Sequence, residues 1–153
     1  MSPLDALVEI EAIKRLKAEY FRCNDEQDWA ALVGLFTADA ETDMRCAVEP
    51  PDPLLIQHDP HAFMANNRRF LNGVKSAHVG TMPRIDILTD VTATGVWSLE
   101  DWLWIPDGHF AMPRGCLHGW GTYHDRYVKA GGRWLFAATR LTRIHIDFQP
   151  AEG

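Results

Sequence analysis

The run Leu16–Ala40, LKAEYFRCNDEQDWAALVGLFTADA, reads as the end of one helix, a tight turn, a short second helix and the entry to a strand. Asn24, Asp25, Glu26, Gln27 and Asp28 form the turn. Asp28 stands directly before an apolar repeat and predicts an N-cap for a helix over Trp29–Phe36, with Trp29, Leu32, Val33 and Phe36 at i, i+3, i+4 and i+7. Tyr20 lies on the apolar face of the preceding helix and Asp25 just past its end. An acid among so many aromatic and aliphatic residues is either a helix-terminus device or a buried reactive carboxylate.

Upstream, Ser2 as cap, Pro3 at the first helical position and Asp5 three residues beyond the cap start helix one. Its apolar stripe is Ala6, Ile10, Ile13, Leu16 and Tyr20, with Glu9, Glu11, Lys14, Arg15 and Lys17 turned away. Downstream, Thr37–Cys46 reads as a first strand, and residues 49–60 as an irregular, proline-rich stretch. His58 or Asp59 caps a third helix with Phe63, Met64, Phe70 and Leu71 as its apolar side, closed by Asn72-Gly73. The pattern then changes to period two over Ser76–Leu88, Thr92–Ile105, Cys116–Lys129 and Arg133–Phe148. Thr89-Asp90, Pro106-Asp107-Gly108 and Gly131-Gly132 join these runs, and Pro83 predicts a bulge or bend in the first. Helices first and an antiparallel meander after them predict an α+β fold, the helices packed on one face of a curved sheet.

The chain has 153 residues, one domain's worth, and residues 1–153 are read as a single domain. Hydrophobic residues make up 46% and charged residues 24%, the proportions of an ordinary globular protein. A net charge of −6, with no basic cluster longer than Arg68–Arg69, argues against nucleic acid as a partner. No apolar run reaches the length of a membrane span, and the first residues lack the pattern of a signal peptide. The three cysteines have no close pairing and read as reduced thiols of a cytoplasmic protein. His58-x-x-His61 lacks companions at metal-ligand spacing, so no metal is expected.

A curved sheet closed by helices makes a cone, and few ionisable residues fall on faces that would line it. His78, Gly80 and Met82 share one face, and Trp97, Leu99, Asp101 and Leu103 another, where Asp101 is the only charge. A carboxylate on such a face is costly unless paired, and His78 is the natural partner for Asp101 or Asp25. A neutral imidazole oriented by a carboxylate is a base of the right strength near neutral pH, so these residues suit proton transfer. No Ser, Cys or Thr stands in a nucleophile motif.

Four motifs carry a resemblance: DxxALxxLFxxDA at Asp28–Ala40, HxGxMPxIxI at His78–Ile87, GxWxxED at Gly95–Asp101 and GxxHDxYVKxxGRWLF at Gly121–Phe136. Together they resemble the SnoaL-like branch of the NTF2-like superfamily. The order and spacing of Tyr20, Asp25, His78 and Asp101 are similar to the bile-acid 7α-dehydratase and scytalone dehydratase groups, and the Asp25–His78 pair resembles the dyad of the lindane dehydrochlorinase. The resemblance implies an NTF2-like cone, a mostly antiparallel sheet with three N-terminal helices enclosing a pocket.

It also implies a cofactor-independent, dehydratase-type lyase acting on a hydrophobic cyclic or polycyclic small molecule. In that reading His78 is the base, Asp25 orients it, Tyr20 donates to a substrate oxygen and Asp101 is a second pocket acid. Trp97, Met82, Leu99, Phe63, Arg143 and His124 would line the pocket. Arg140 and Arg143 point to opposite faces of the last strand, and one of them enters the cone. A second histidine, present in scytalone dehydratase, corresponds to His124 or His118. A basic residue near Tyr20, wanted by the dehydrochlorinase pattern, has only Lys17 or Arg22 as candidates. An isomerase or polyketide cyclase fits the same pocket. A non-catalytic binding protein, or one like a dioxygenase small subunit, is the alternative of another class. Val96, Trp102 and Trp104 on the convex side predict a homo-oligomer, a trimer or a dimer, the trimer by the same resemblance.

Overall fold

A computed structural model describes residues 2–152. Its elements are α1 (Pro3–Asp25), α2 (Trp29–Val33), β1 (Phe36–Cys46), β2 (Ile56–Gln57), α3 (Pro60–Phe70), β3 (Lys75–Thr89), β4 (Thr92–Ile105), β5 (Gly115–Ala130) and β6 (Arg133–Pro150). The strands form one six-stranded sheet in the order β2-β1-β6-β5-β4-β3. All neighbours are antiparallel except β1 and β6, so the α+β expectation holds.

Local chemistry starts each helix where the sequence puts it. Ser2 and Asp5 form a reciprocal capping box on α1, and Asp28 and Asp59 cap α2 and α3 through the backbone amides of Ala31 and His61. Helix α2 stops at Val33, short of the predicted Phe36, because Phe36 is already the first residue of β1. The backbone amide of Phe136 donates to the Leu35 carbonyl beside it, so the sheet claims this segment as soon as it arrives. The proline-rich stretch is not wholly irregular: Ile56 and Gln57 add a short edge strand to β1. The turn after α1 is tied to the rest by Gln27, whose amide donates to the carbonyls of Leu71 (2.8 Å) and Val74 (3.0 Å). The predicted bulge at Pro83 is present as a register shift between Thr81 and Arg84, with Met82 at φ 48°.

Strand β4 alternates strictly, burying Ala93, Gly95, Trp97, Leu99, Asp101, Leu103 and Ile105 on the concave face. One core cluster joins this face to α1 through Ile13, Leu16, Tyr20, Phe21 and Phe136. A smaller one joins Leu103, Ile105 and Leu117 to Leu71 and Val74 after α3. Lys17, expected on the polar side of α1, is wholly buried in the larger cluster.

On the convex face the rings of Trp102 and His118 stack at 4.4 Å, followed by Trp120 and His145 across β5 and β6. Among the described residues no helix is long and apolar enough to cross a membrane.

Candidate active site

Between the two clusters lies a cavity of about 740 Å³. Tyr20, His78, Asp101, Tyr123 and Arg143 give it a polar end. Phe63, Leu103, Leu117, Ile146 and Phe148 are among the apolar side chains that line the rest. Asn24, Glu49, Asn66 and Asn67 add further polar groups to the lining, so a ligand filling it would be largely apolar with several polar groups.

His78 and Asp25 meet at the polar end. Asp25 is the last residue of α1, and His78 sits on the first stretch of β3, before the bulge. The carboxylate accepts three hydrogen bonds: from the Ser76 hydroxyl at 2.7 Å, the His78 backbone amide at 3.0 Å and, at 2.5 Å, His78 Nδ1. Burial alone would push the Asp25 carboxyl up, but the His78 and Ser76 contacts outweigh it and hold it below its ordinary value. An ionised Asp25 fixes the proton of neutral His78 on Nδ1 and leaves the Nε2 lone pair free. Nε2 stands 3.9 Å from Asp101 Oδ2, too far for a hydrogen bond and open to a ligand.

Asp101 is paired, and the partner is Arg143. The guanidinium donates Nη1 and Nη2 to the two carboxylate oxygens at 2.7 and 2.8 Å, and Nε to the Ala47 carbonyl at 3.0 Å. A Cβ on Gly119 would lie 2.5 Å from Asp101 Oδ1 and from Arg143 Nη1, so only glycine leaves room for the pair. Arg140, the alternative, has a side chain 58% exposed and lies near Asp43. This bidentate geometry keeps a charged pair in the cavity wall without an orphaned ion.

Tyr20 lines the cavity and is 3% exposed. Its hydroxyl stands 3.5 Å from that of Tyr123. Burial raises both phenols above their ordinary values, so both are protonated at neutral pH.

Four of the expected pocket residues do not line this cavity, although Met82 and Trp97 border a second hollow together with Asp25 and His78. Met82 is 83% exposed, because the Pro83 bulge breaks the alternation that would have turned it inward. His124 is exposed on the convex face, in register with Val96 and Arg140. His118 is on that face too, bonded to Glu100 at 2.8 Å, so neither histidine reaches the cavity. Trp97 and Leu99 do face inward but pack in the core, and Trp97 donates to the Tyr127 hydroxyl at 3.0 Å. Phe63 and Arg143 line the cavity.

Sequence reasoning overlooked Tyr123 and Asp125, and it named Lys17 only as one of two candidates for a basic residue near Tyr20. Lys17 Nζ bonds Asp125 Oδ2 at 2.8 Å and sits 3.6 Å from the centre of the Tyr123 ring. Burial holds this ammonium below its ordinary range, against the pull of Asp125. Tyr127 and Thr139 donate their hydroxyls to the same carboxylate, at 2.8 and 2.6 Å. The signal was there: Tyr123, Asp125 and Tyr127 alternate on one face, a lone acid among aromatics, and Lys17 lies i+4 from Ile13 and i−3 from Tyr20. Among the described residues no three His, Cys, Asp or Glu side chains cluster as a metal-ligand set.

Solved structures resemble the chain along its whole length. A candidate scytalone dehydratase from Novosphingobium aromaticivorans superposes with a TM-score of 0.79 at 19% identity, over 97% of this chain and 92% of that one. A hexachlorocyclohexane dehydrochlorinase, LinA type 2, gives 0.80 at 17% identity over 99% and 95%. A protein of unknown function from Mycobacterium tuberculosis gives 0.74 at 24% identity over 94% and 76%. These identities speak for the shared fold. The family model of the SnoaL-like domain matches residues 5–140, and the chain belongs to that family, within the NTF2-like superfamily.

Proposed function

We propose that the protein is a cofactor-independent lyase that eliminates water from a hydrophobic cyclic or polycyclic molecule. One observation carries the reading: His78 Nδ1 is held by Asp25, while Nε2 is left unbonded at the polar end of a largely apolar cavity. His78 Nε2 takes a proton from a carbon next to an activating carbonyl. The C–H electron pair becomes the new double bond, and hydroxide leaves from the neighbouring carbon. The imidazolium, stabilised by Asp25, returns the proton to hydroxide and water departs, so no proton or electron is left over. Tyr20 donates to the substrate oxygen, and Asp101 with Arg143 forms the charged wall beside it. The same base returning its proton to a different carbon would make an isomerase, and ring closure on the carbanion a cyclase.

The similarity to a candidate scytalone dehydratase and to a dehydrochlorinase supports elimination as the reaction class. The site lies within one domain that includes the whole chain. The Trp102–His118–Trp120–His145 ladder and Trp104, 46% exposed, support self-association through the convex face, as a trimer or a dimer.

The test is a screen of hydroxylated cyclic ketones and steroid-like compounds against the wild type, His78→Ala, Asp25→Asn and the double variant. Turnover that needs both residues supports the reading. Turnover undiminished in His78→Ala sinks it. Binding of such compounds without turnover would favour the ligand-binding alternative.

A further inference from the structure

We propose that Phe21 is a positioning residue for His78, and that Gly80 is the gap in β3 that admits its ring. The inference rests on the reading of His78 as the base and deepens it.

Asp25 binds one imidazole nitrogen, and a single such contact leaves the ring free to tilt about it. The direction of Nε2 therefore needs a second constraint. Phe21 sits one turn before Asp25 on α1, and its ring lies parallel to the imidazole, with 7° between the planes and 5.9 Å between centroids. The phenyl is itself held, edge-on to Tyr20 at 5.6 Å and tilted against Tyr123 at 6.0 Å. It is 8% exposed.

Gly80 shares a strand face with His78, two residues along. Its backbone does not lie in the left-handed region, so its conformation does not demand glycine. Space does: a Cβ there would overlap Phe21 Cε2 and lie 3.0 Å from Cζ. The missing side chain is filled by the phenyl, which reaches over β3 at the height of the imidazole. Asp25 thus fixes the tautomer, and Phe21 fixes the plane. Small misplacements of a reacting group cost up to about a hundredfold in rate, so the constraint acts on turnover more than on binding.

Two kinds of measurement test this. In kinetics with a substrate found by the screen, Phe21→Leu is expected to lower kcat about tenfold to a hundredfold with KM within about twofold. Gly80→Ala is expected to do the same, since its methyl displaces the phenyl. In Phe21→Leu/Gly80→Ala the methyl meets a smaller neighbour, so the double variant should match Phe21→Leu rather than multiply the two losses. Phe21→Met, which refills the volume without a flat ring, should also lose kcat, and it replaces Phe21→Leu if that variant does not fold.

The second measurement needs no substrate. Nitrogen NMR of His78 should report one tautomer, protonated on Nδ1, in the wild type and in the Phe21 and Gly80 variants alike, because Asp25 is intact in all of them, with imidazole signals sharp in the wild type and broadened in the variants as the ring plane becomes mobile. Wild-type line widths and wild-type kcat in both single variants would overturn the proposal, and multiplicative losses in the double variant would overturn the role of Gly80. Altered His78 signals together with turnover that survives His78→Ala would leave the positioning intact and reject the base.

Discussion

At the scale of the residue, the site is built from groups that act in pairs, and their variants should behave accordingly. If His78 is the base proposed above, His78→Ala should lose about 10²–10⁴ in kcat, the usual contribution of a general base, with the fold intact by circular dichroism. Asp25→Asn keeps the shape but removes the charge that stabilises imidazolium, so it should lose less. The double variant should be little worse than His78→Ala, because groups working as a unit are not additive. The Asp101–Arg143 pair makes a different prediction, about stability. Arg143→Met leaves Asp101, 2% exposed, without its bidentate partner, and should cost about 3–5 kcal/mol in denaturant unfolding. Replacing both partners with Asn and Met removes the orphaned charge and should recover much of that loss.

At the scale of the element, α1 carries half of the dyad and is moored to the sheet by charge as well as by apolar packing. Near its start, Glu9 accepts from Lys129 Nζ and Trp134 Nε1, both at 2.6 Å, and these bonds hold its carboxyl below the ordinary value. Further along, Lys17 is locked to Asp125 inside the core. A carboxyl depressed in the folded state stabilises the fold when ionised. Its contribution is complete above the unfolded value, roughly pH 4–4.5, and is lost as pH falls through the lower folded value. Asp25 shifts in the same direction, so the dyad and the mooring of α1 weaken together in acid. Urea midpoints followed by tryptophan fluorescence should therefore stay level down to about pH 5 and fall below about pH 4. Glu9→Gln should flatten that acid limb.

At the scale of the whole molecule, the sheet presents a concave face to the cavity and an aromatic convex face to the outside. Light scattering at micromolar concentration should return a mass of two or three chains, and Trp104→Glu should shift it toward one. A monomeric wild type would contradict the assembly proposed here. The cavity makes its own prediction. A steroid-like ligand present at about a hundred times its Kd should stabilise the fold by about 2.7 kcal/mol, read as a rise in Tm. Filling the cavity, as in Leu117→Trp, should abolish that rise.

Much of the fold was legible in the chain because it is written in local chemistry. Caps at Ser2, Asp28 and Asp59, and period-two runs joined by turn residues, mark elements through contacts within a few residues, and these appear where expected. Motif and face singled out Tyr20, Asp25 and His78, and left Arg140 or Arg143 open; in the structure Tyr20, His78, Phe63 and Arg143 line the cavity and Asp25 bonds His78. What the chain alone could not decide depends on register and long-range packing. Met82 leaves the cone because one bulge inverts the alternation, and Phe36 joins a strand because β6 offers it hydrogen-bond partners. Lys17 turns inward because Asp125, 108 residues away, compensates its charge. Only the fold brings that carboxylate to α1, and without it burying an ammonium would cost more than helix packing returns.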